Sequence, residues 1–133
     1  MTAPQDHPGR LLDLAPEECW TLAASQPVGR LAWNGTEGPT VVPVNFEVTD
    51  GRVRLRTAAY SALARECDDS VVAFEVDDFD ADQRSGWSVL MRGRAHLEYG
   101  GQPDGDDPDV WPAGARALRV VVDVESVSGR RVS

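Results

Sequence analysis

Residues 40–57 read TVVPVNFEVTDGRVRLRT, and their reading decides the fold. Apolar side chains fall at Val42, Val44, Phe46 and Val48, then at Val53 and Leu55 with Thr57 in phase. A period of two is that of a strand with one buried face. Between the runs stand Asp50 and Gly51. Both tolerate the positive φ of a two-residue hairpin turn, so the segment is expected to fold back on itself. The return strand, Arg52 to Thr57, sets Arg52, Arg54 and Arg56 opposite its apolar residues.

The same period continues outward. Val28 to Asn34 and Pro39 to Thr49 read as strands, as does Ser70 to Asp77 with Val72, Phe74 and Val76 inward. Gly86 to Tyr99 is the longest, with Trp87, Val89, Met91, Ala95, Leu97 and Tyr99 against Ser88, Arg92, Arg94, His96 and Glu98. Ala117 to Glu125 closes the set, with Leu118, Val120, Val122 and Val124 inward. Two segments depart from the period. Pro16-Glu17-Glu18 opens a helix, with Pro in the first turn and carboxylates at the positive end of the dipole. Pro27 ends it, and the Ala-rich stretch Ala58 to Cys67 reads as a second short helix. The expectation is a mainly β chain with short helices, built as a six-stranded antiparallel barrel. Residues 1–12 read as a flexible tail and 13–133 as one domain. Asp78 to Ser85 and Gly100 to Gly114 read as acidic and Gly/Pro/Asp-rich loops.

Composition narrows the function. The 133 residues carry a net charge of -9, the wrong sign for a nucleic acid backbone or an anionic membrane. All 13 basic residues are Arg, so no Schiff-base lysine exists, and a phosphate must be held by Arg, hydroxyls or backbone N–H groups. Cys19 and Cys67 lack metal-ligand spacing and read as reduced core thiols. The polar start, Met1 to Arg10, has no signal-peptide core, and no apolar run is long enough to span a membrane; a cytoplasmic protein is expected.

Catalytic motifs are sparse. The carboxylates at Asp77, Asp78, Asp80 and Asp82 lack the glycine and closing glutamate of a calcium loop, and Asp104 to Asp109 reads as solvated too. His7 and His96 are too far apart to suggest a metal site, so none is expected. There is no Gly-rich phosphate loop or dinucleotide fingerprint. The arginine stripe of Arg52, Arg54 and Arg56 suits a solvated strand face. It equally suits an anion at Arg56, with a helix starting near Ser61.

Several segments, taken in order, resemble the pyridoxamine 5′-phosphate oxidase-like, flavin-nucleotide-binding family of split β-barrels. They are Val28-Gly29-Arg30-Leu31-Ala32, Pro43-Val44-Asn45-Phe46 before Asp50-Gly51, Leu55-Arg56-Thr57 and Val72 to Asp77. Gly86 to Leu90 with Arg92-Gly93, Trp111, and Ser128-Gly129-Arg130-Arg131 follow, so the likeness spans roughly residues 11 to 132. The resemblance implies an FMN-binding split barrel, a homodimer with flavin at the interface, and flavin-dependent oxidoreductase chemistry toward an unidentified substrate. It implies cofactor contacts from Pro43, Val44 and Asn45 to the ring, from Arg56, Thr57 and Ser61 to the phosphate, and from Trp87 and Ser88 nearby. Trp87 equally suits barrel or interface packing. The family's Gly-Ser/Thr-Lys-Leu is here Tyr60-Ser61-Ala62-Leu63. Loss of that lysine removes a contact of roughly 1.5–3 kcal/mol, so weak FMN binding is expected. The alternatives are a deazaflavin-dependent reductase, or a non-enzymatic dimeric binding protein that has lost tight cofactor binding.

Overall fold

The structure is a computed structural model that describes residues 9–58, 60–99, 108, 111 and 118–133. Most of the loop read from Gly100 to Gly114, the start of the last strand at Ala117, and the first eight residues of the tail lie outside the described residues.

The chain is mainly antiparallel β. In order come β1 (Leu11–Asp13), α1 (Pro16–Ala24), β2 (Val28–Gly35), β3 (Gly38–Asn45), β4 (Glu47–Thr49), β5 (Arg52–Thr57), α2 (Ala62–Cys67), β6 (Ser70–Asp80), β7 (Ser85–Tyr99) and β8 (Leu118–Val132). The strands form an 8-stranded sheet in the order β3-β2-β6-β7-β8-β5-β4, with β1 added beside β8. Consecutive strands β3 and β4 thus stand at opposite ends of the path. The chain crosses at Phe46, leaving a split between the β3 edge and the β5 side. Phe46 is buried and meets Phe74 edge-on, ring centroids 4.8 Å apart, which anchors the crossing in the core. The hairpin turn is as expected: Asp50 has φ 55, Gly51 has φ 74, and Val48 pairs with Val53.

The split-barrel fold class stands, while the strand count and ends change. The single strand read from Pro39 to Thr49 breaks at Phe46 because its two halves pair with different neighbours. Leu11–Asp13, of which Leu11 and Leu12 were read as tail, pairs with Arg130–Val132; all three residues are exposed, so no burial pattern marks this strand. The acidic stretch from Asp78 belongs to β6 as far as Asp80, with the turn confined to residues 81–84. There the Asp80 carboxylate accepts from the backbone N–H of Asp82 and Gln83, at 2.9 and 3.1 Å.

The last strand runs on to Val132 rather than ending at Glu125. Arg92 pairs with Ser126 and Gly93 with Val124, so Glu125 is the extra residue of a β-bulge. A bulge shifts the face on which side chains fall by one position. Val120 and Val122 point inward before it; Val127 and Gly129 oppose the inward Met91 and Val89 after it. Gly93 permits the close approach at the bulge, since a Cβ there would stand 2.0 Å from the Asp123 carbonyl oxygen. Gly129 opens the seat of α1, since a Cβ would stand 2.8 Å from Cys19 Sγ.

The core lies inside the barrel, with Leu31, Leu55, Phe74, Val76, Val89, Met91, Val120 and Val122 fully or almost fully buried. The apolar face of the longest strand mostly points into this core. Of the residues placed on that face, Tyr99 alone is exposed. Among the described residues, no helix is long and apolar enough to cross a membrane.

Candidate functional site

The split holds a trough of about 530 Å³. Its walls are mostly apolar: Val28 and Trp33 from β2, Val42, Pro43 and Val44 from β3, and Leu63 from α2. Polar groups come from Thr40, Asn45, Arg56, Thr57 and Ser61. An apolar cleft with a few convergent polar groups is the usual form of a small-molecule site.

Local sequence explains the openness of the cleft. Pro39 pairs with Asn34 and Pro43 with Arg30, so the two prolines hold equivalent positions along the β3 edge. Lacking N–H groups, they fit positions whose nitrogen faces away from β2. An edge short of donors is a poor template for another strand, which keeps the trough clear. Opposite, β5 ends with Arg56 and Thr57, and α2 follows. Thr57 Oγ1 and Ser61 Oγ are 2.8 Å apart. Ser61 also caps α2, its Oγ accepting from the Ala64 N–H at 3.1 Å. The two hydroxyls are therefore held in fixed positions beside Arg56, an arrangement suited to an anion in a chain without lysine.

Six of the eight residues singled out from the sequence meet here: Pro43, Val44, Asn45, Arg56, Thr57 and Ser61. Asn45 has a further task. Its Nδ2 donates to the Pro27 carbonyl at 3.0 Å and its Oδ1 accepts from the Trp111 N–H at 2.9 Å. The carboxamide thus ties the start of β2 and the Trp111 backbone to the end of β3. Trp87 and Ser88 do not join the trough within one chain. Trp87 is 7% exposed and belongs to the core. Ser88 lines a separate recess with Asp13, Leu90, Ser128, Gly129 and Arg130. Val28, Trp33, Thr40, Val42, Ala62, Leu63 and Trp111 complete the lining and were not among the eight. Of these, Val28, Leu63 and Trp111 carried a sequence signal as parts of the resemblance, and Ala62 as a departure from it.

Two features bear on the altered phosphate segment. Tyr60 is 89% exposed and does not line the trough, so its phenol does not obstruct it. Ala62, at the position of the family's lysine, does line it. Arg65 donates from Nη1 to the Tyr60 carbonyl, which keeps a guanidinium beside the start of α2.

The remaining chemistry is quiet. Burial pushes the Cys67 thiol up to about 12, and burial also raises Cys19, so neither is a nucleophile at neutral pH. On the outer face of β6, Arg30 Nη1 lies 3.2 Å from Glu75 Oε1 and 3.4 Å from Asp77 Oδ2. Burial, then the hydrogen bond and charge of Asp77, push Glu75 up to about 7, against the pull of Arg30. Neither carboxylate lines the trough.

Comparison with known proteins gives the family. The model for pyridoxamine 5′-phosphate oxidase matches residues 15–131. An uncharacterized protein of Mycobacterium tuberculosis is 40% identical over 90 residues, 64% of this chain and 59% of that protein. The chain thus spans under two thirds of this curated relative. The structure of the FAD binding protein from Mycobacterium smegmatis superposes with a TM-score of 0.72 at 29% identity, covering 92% of this chain and 98% of that one. An FAD-binding protein from Mesorhizobium loti shares the fold, with a TM-score of 0.71 at 20% identity over 94% of this chain and 98% of that one. With nearly the whole chain matched and the split barrel in place, this protein belongs to the pyridoxamine 5′-phosphate oxidase family.

Proposed function

We propose that this protein binds a flavin nucleotide, FMN, in the trough between β3 and the β5–α2 segment, and acts as a flavin-dependent oxidoreductase. The observation that carries the reading is the trough itself, apolar-walled and bordered by Arg56 with the paired hydroxyls of Thr57 and Ser61. A flavin nucleotide has the matching halves, a flat apolar ring system and a phosphate. The Mycobacterium smegmatis relative, named as binding FAD, supports a flavin, and FAD contains the same riboflavin phosphate unit.

When bound, the flavin supplies the electron transfer, and the protein supplies position and electrostatics. Val42, Val44, Trp33 and Leu63 exclude water from the ring system, and Arg56, Thr57 and Ser61 hold the anion. We assign no acid or base of the chain to the reaction. The lost-cofactor alternative draws on Ala62 in place of the family's lysine; Tyr60, in the same segment, is exposed and stands outside the trough lining.

The same reading includes a homodimer. Ser88, which the family resemblance places near the flavin, lies in a different recess from the trough within one chain. A second copy is what would bring such a residue to the cofactor. The test of function is the visible absorbance of purified protein before and after adding FMN. A flavin band that stays with the protein through gel filtration supports the reading. A spectrum of free flavin only, with folded protein at millimolar FMN, refutes it.

A further inference from the structure

Glu66 occupies the last turn of α2, where a negative charge opposes the helix dipole. Its place there has another explanation. Oε1 accepts from the Trp33 indole Nε1 at 2.9 Å, and Oε2 accepts from Thr36 Oγ1 at 3.0 Å. These bonds hold the carboxyl below its ordinary range, the Trp33 bond most strongly. Trp33 belongs to β2 and Thr36 to the β2–β3 turn, so the carboxylate spans from α2 to a different hairpin. Gly35 leaves room for it, because a Cβ there would stand 2.6 Å from Oε1.

The two elements joined are the two sides of the trough. Trp33 and Thr40 line it from the hairpin, and Ser61, Ala62 and Leu63 line it from the start of α2. Trp33 is 5% exposed, and the Glu66 carboxylate is the partner its indole N–H finds. We propose that Glu66 is a positioning residue for the ligand site, fixing the Trp33 indole and the distance between the hairpin and α2. The inference rests on the flavin reading and names a residue outside the lining that sets how well the lining fits.

The test is flavin affinity by titration calorimetry, on variants confirmed folded by circular dichroism well below their melting temperatures. Glu66→Ala is expected to weaken FMN by about tenfold, the scale of one lost charge-assisted hydrogen bond expressed as altered fit. Glu66→Gln keeps an acceptor for the indole and a polar group for Thr36, and is expected to stay within about threefold of wild type. Trp33→Phe removes the donor and is expected to weaken binding like Glu66→Ala. The double variant is expected to be no weaker than the worse single, because both remove one interaction. Full wild-type affinity in folded Glu66→Ala, or additive losses in the double variant, overturns the proposal and leaves the flavin reading intact. Absence of FMN binding by wild type overturns the flavin reading itself, and the role of Glu66 with it.

Discussion

Replacing Ala62 by lysine should strengthen FMN binding. Ala62 lines the trough, is exposed, and opens α2 one residue after the Ser61 cap. A lysine there can reach solvent-side space without displacing the core. A hydrogen bond to a charged group contributes roughly 1.5–3 kcal/mol. A cation in the first turn of a helix costs about 0.3–1 kcal/mol against the dipole. The balance is about 1–2 kcal/mol, or roughly 5- to 30-fold in affinity. Arg56→Gln should act in the opposite sense in either background. Riboflavin lacks the phosphate, so its affinity should be nearly indifferent to Ala62→Lys. Titration calorimetry with both ligands on wild type, Ala62→Lys, Arg56→Gln and the double variant supplies the numbers. An equal gain for riboflavin and FMN would show that lysine acts on folding or on the ring, and would refute the placement of the phosphate.

Other predictions concern stability and assembly. Glu75, raised to about 7, binds its proton more tightly folded than unfolded, so it favours folding below the ordinary carboxylate range, and that contribution fades as pH climbs toward 7. Glu75→Gln should therefore flatten the decline in stability between about pH 5 and 7; with partial exposure to solvent, the difference at pH 8 should be about 1–2 kcal/mol in favour of the variant by urea denaturation. An unchanged slope would mean that the carboxylate titrates normally. Gly93→Ala drives a Cβ toward the Asp123 carbonyl and should lower stability by roughly 1–3 kcal/mol or more, read from the urea midpoint. Sedimentation at micromolar concentration should give twice the monomer mass; a monomer would remove the shared site while leaving the trough to be tested on its own.

The hairpin was legible because Asp50 and Gly51 are local turn chemistry. So were the inward faces of β5, β6 and β7, where alternation runs unbroken. Beyond Glu125, where the last strand was read to end, the alternation fails because the bulge shifts its phase, and the strand pairs through to Val132. β1 was hidden for a different reason: its backbone pairs while its side chains stay in water. In the site, Pro43 to Asn45 and Arg56 to Ser61 could be named through the family likeness and do converge. Trp33 could not be, because what ties it to α2 is the Glu66 carboxylate that joins the helix to the β2–β3 hairpin. Ser88 was assigned with the trough residues, and only the course of β7 through the sheet separates them.

The most direct test of the central claim is backbone amide mapping by heteronuclear NMR as FMN is added to the wild-type protein. The account predicts progressive shifts concentrated at Thr40, Val42, Val44, Asn45, Thr57, Ser61 and Leu63, the residues that face one another across the split. FMN that leaves these amides unmoved while the protein remains folded, whether or not it perturbs another surface, would contradict the assignment of the trough as the flavin site.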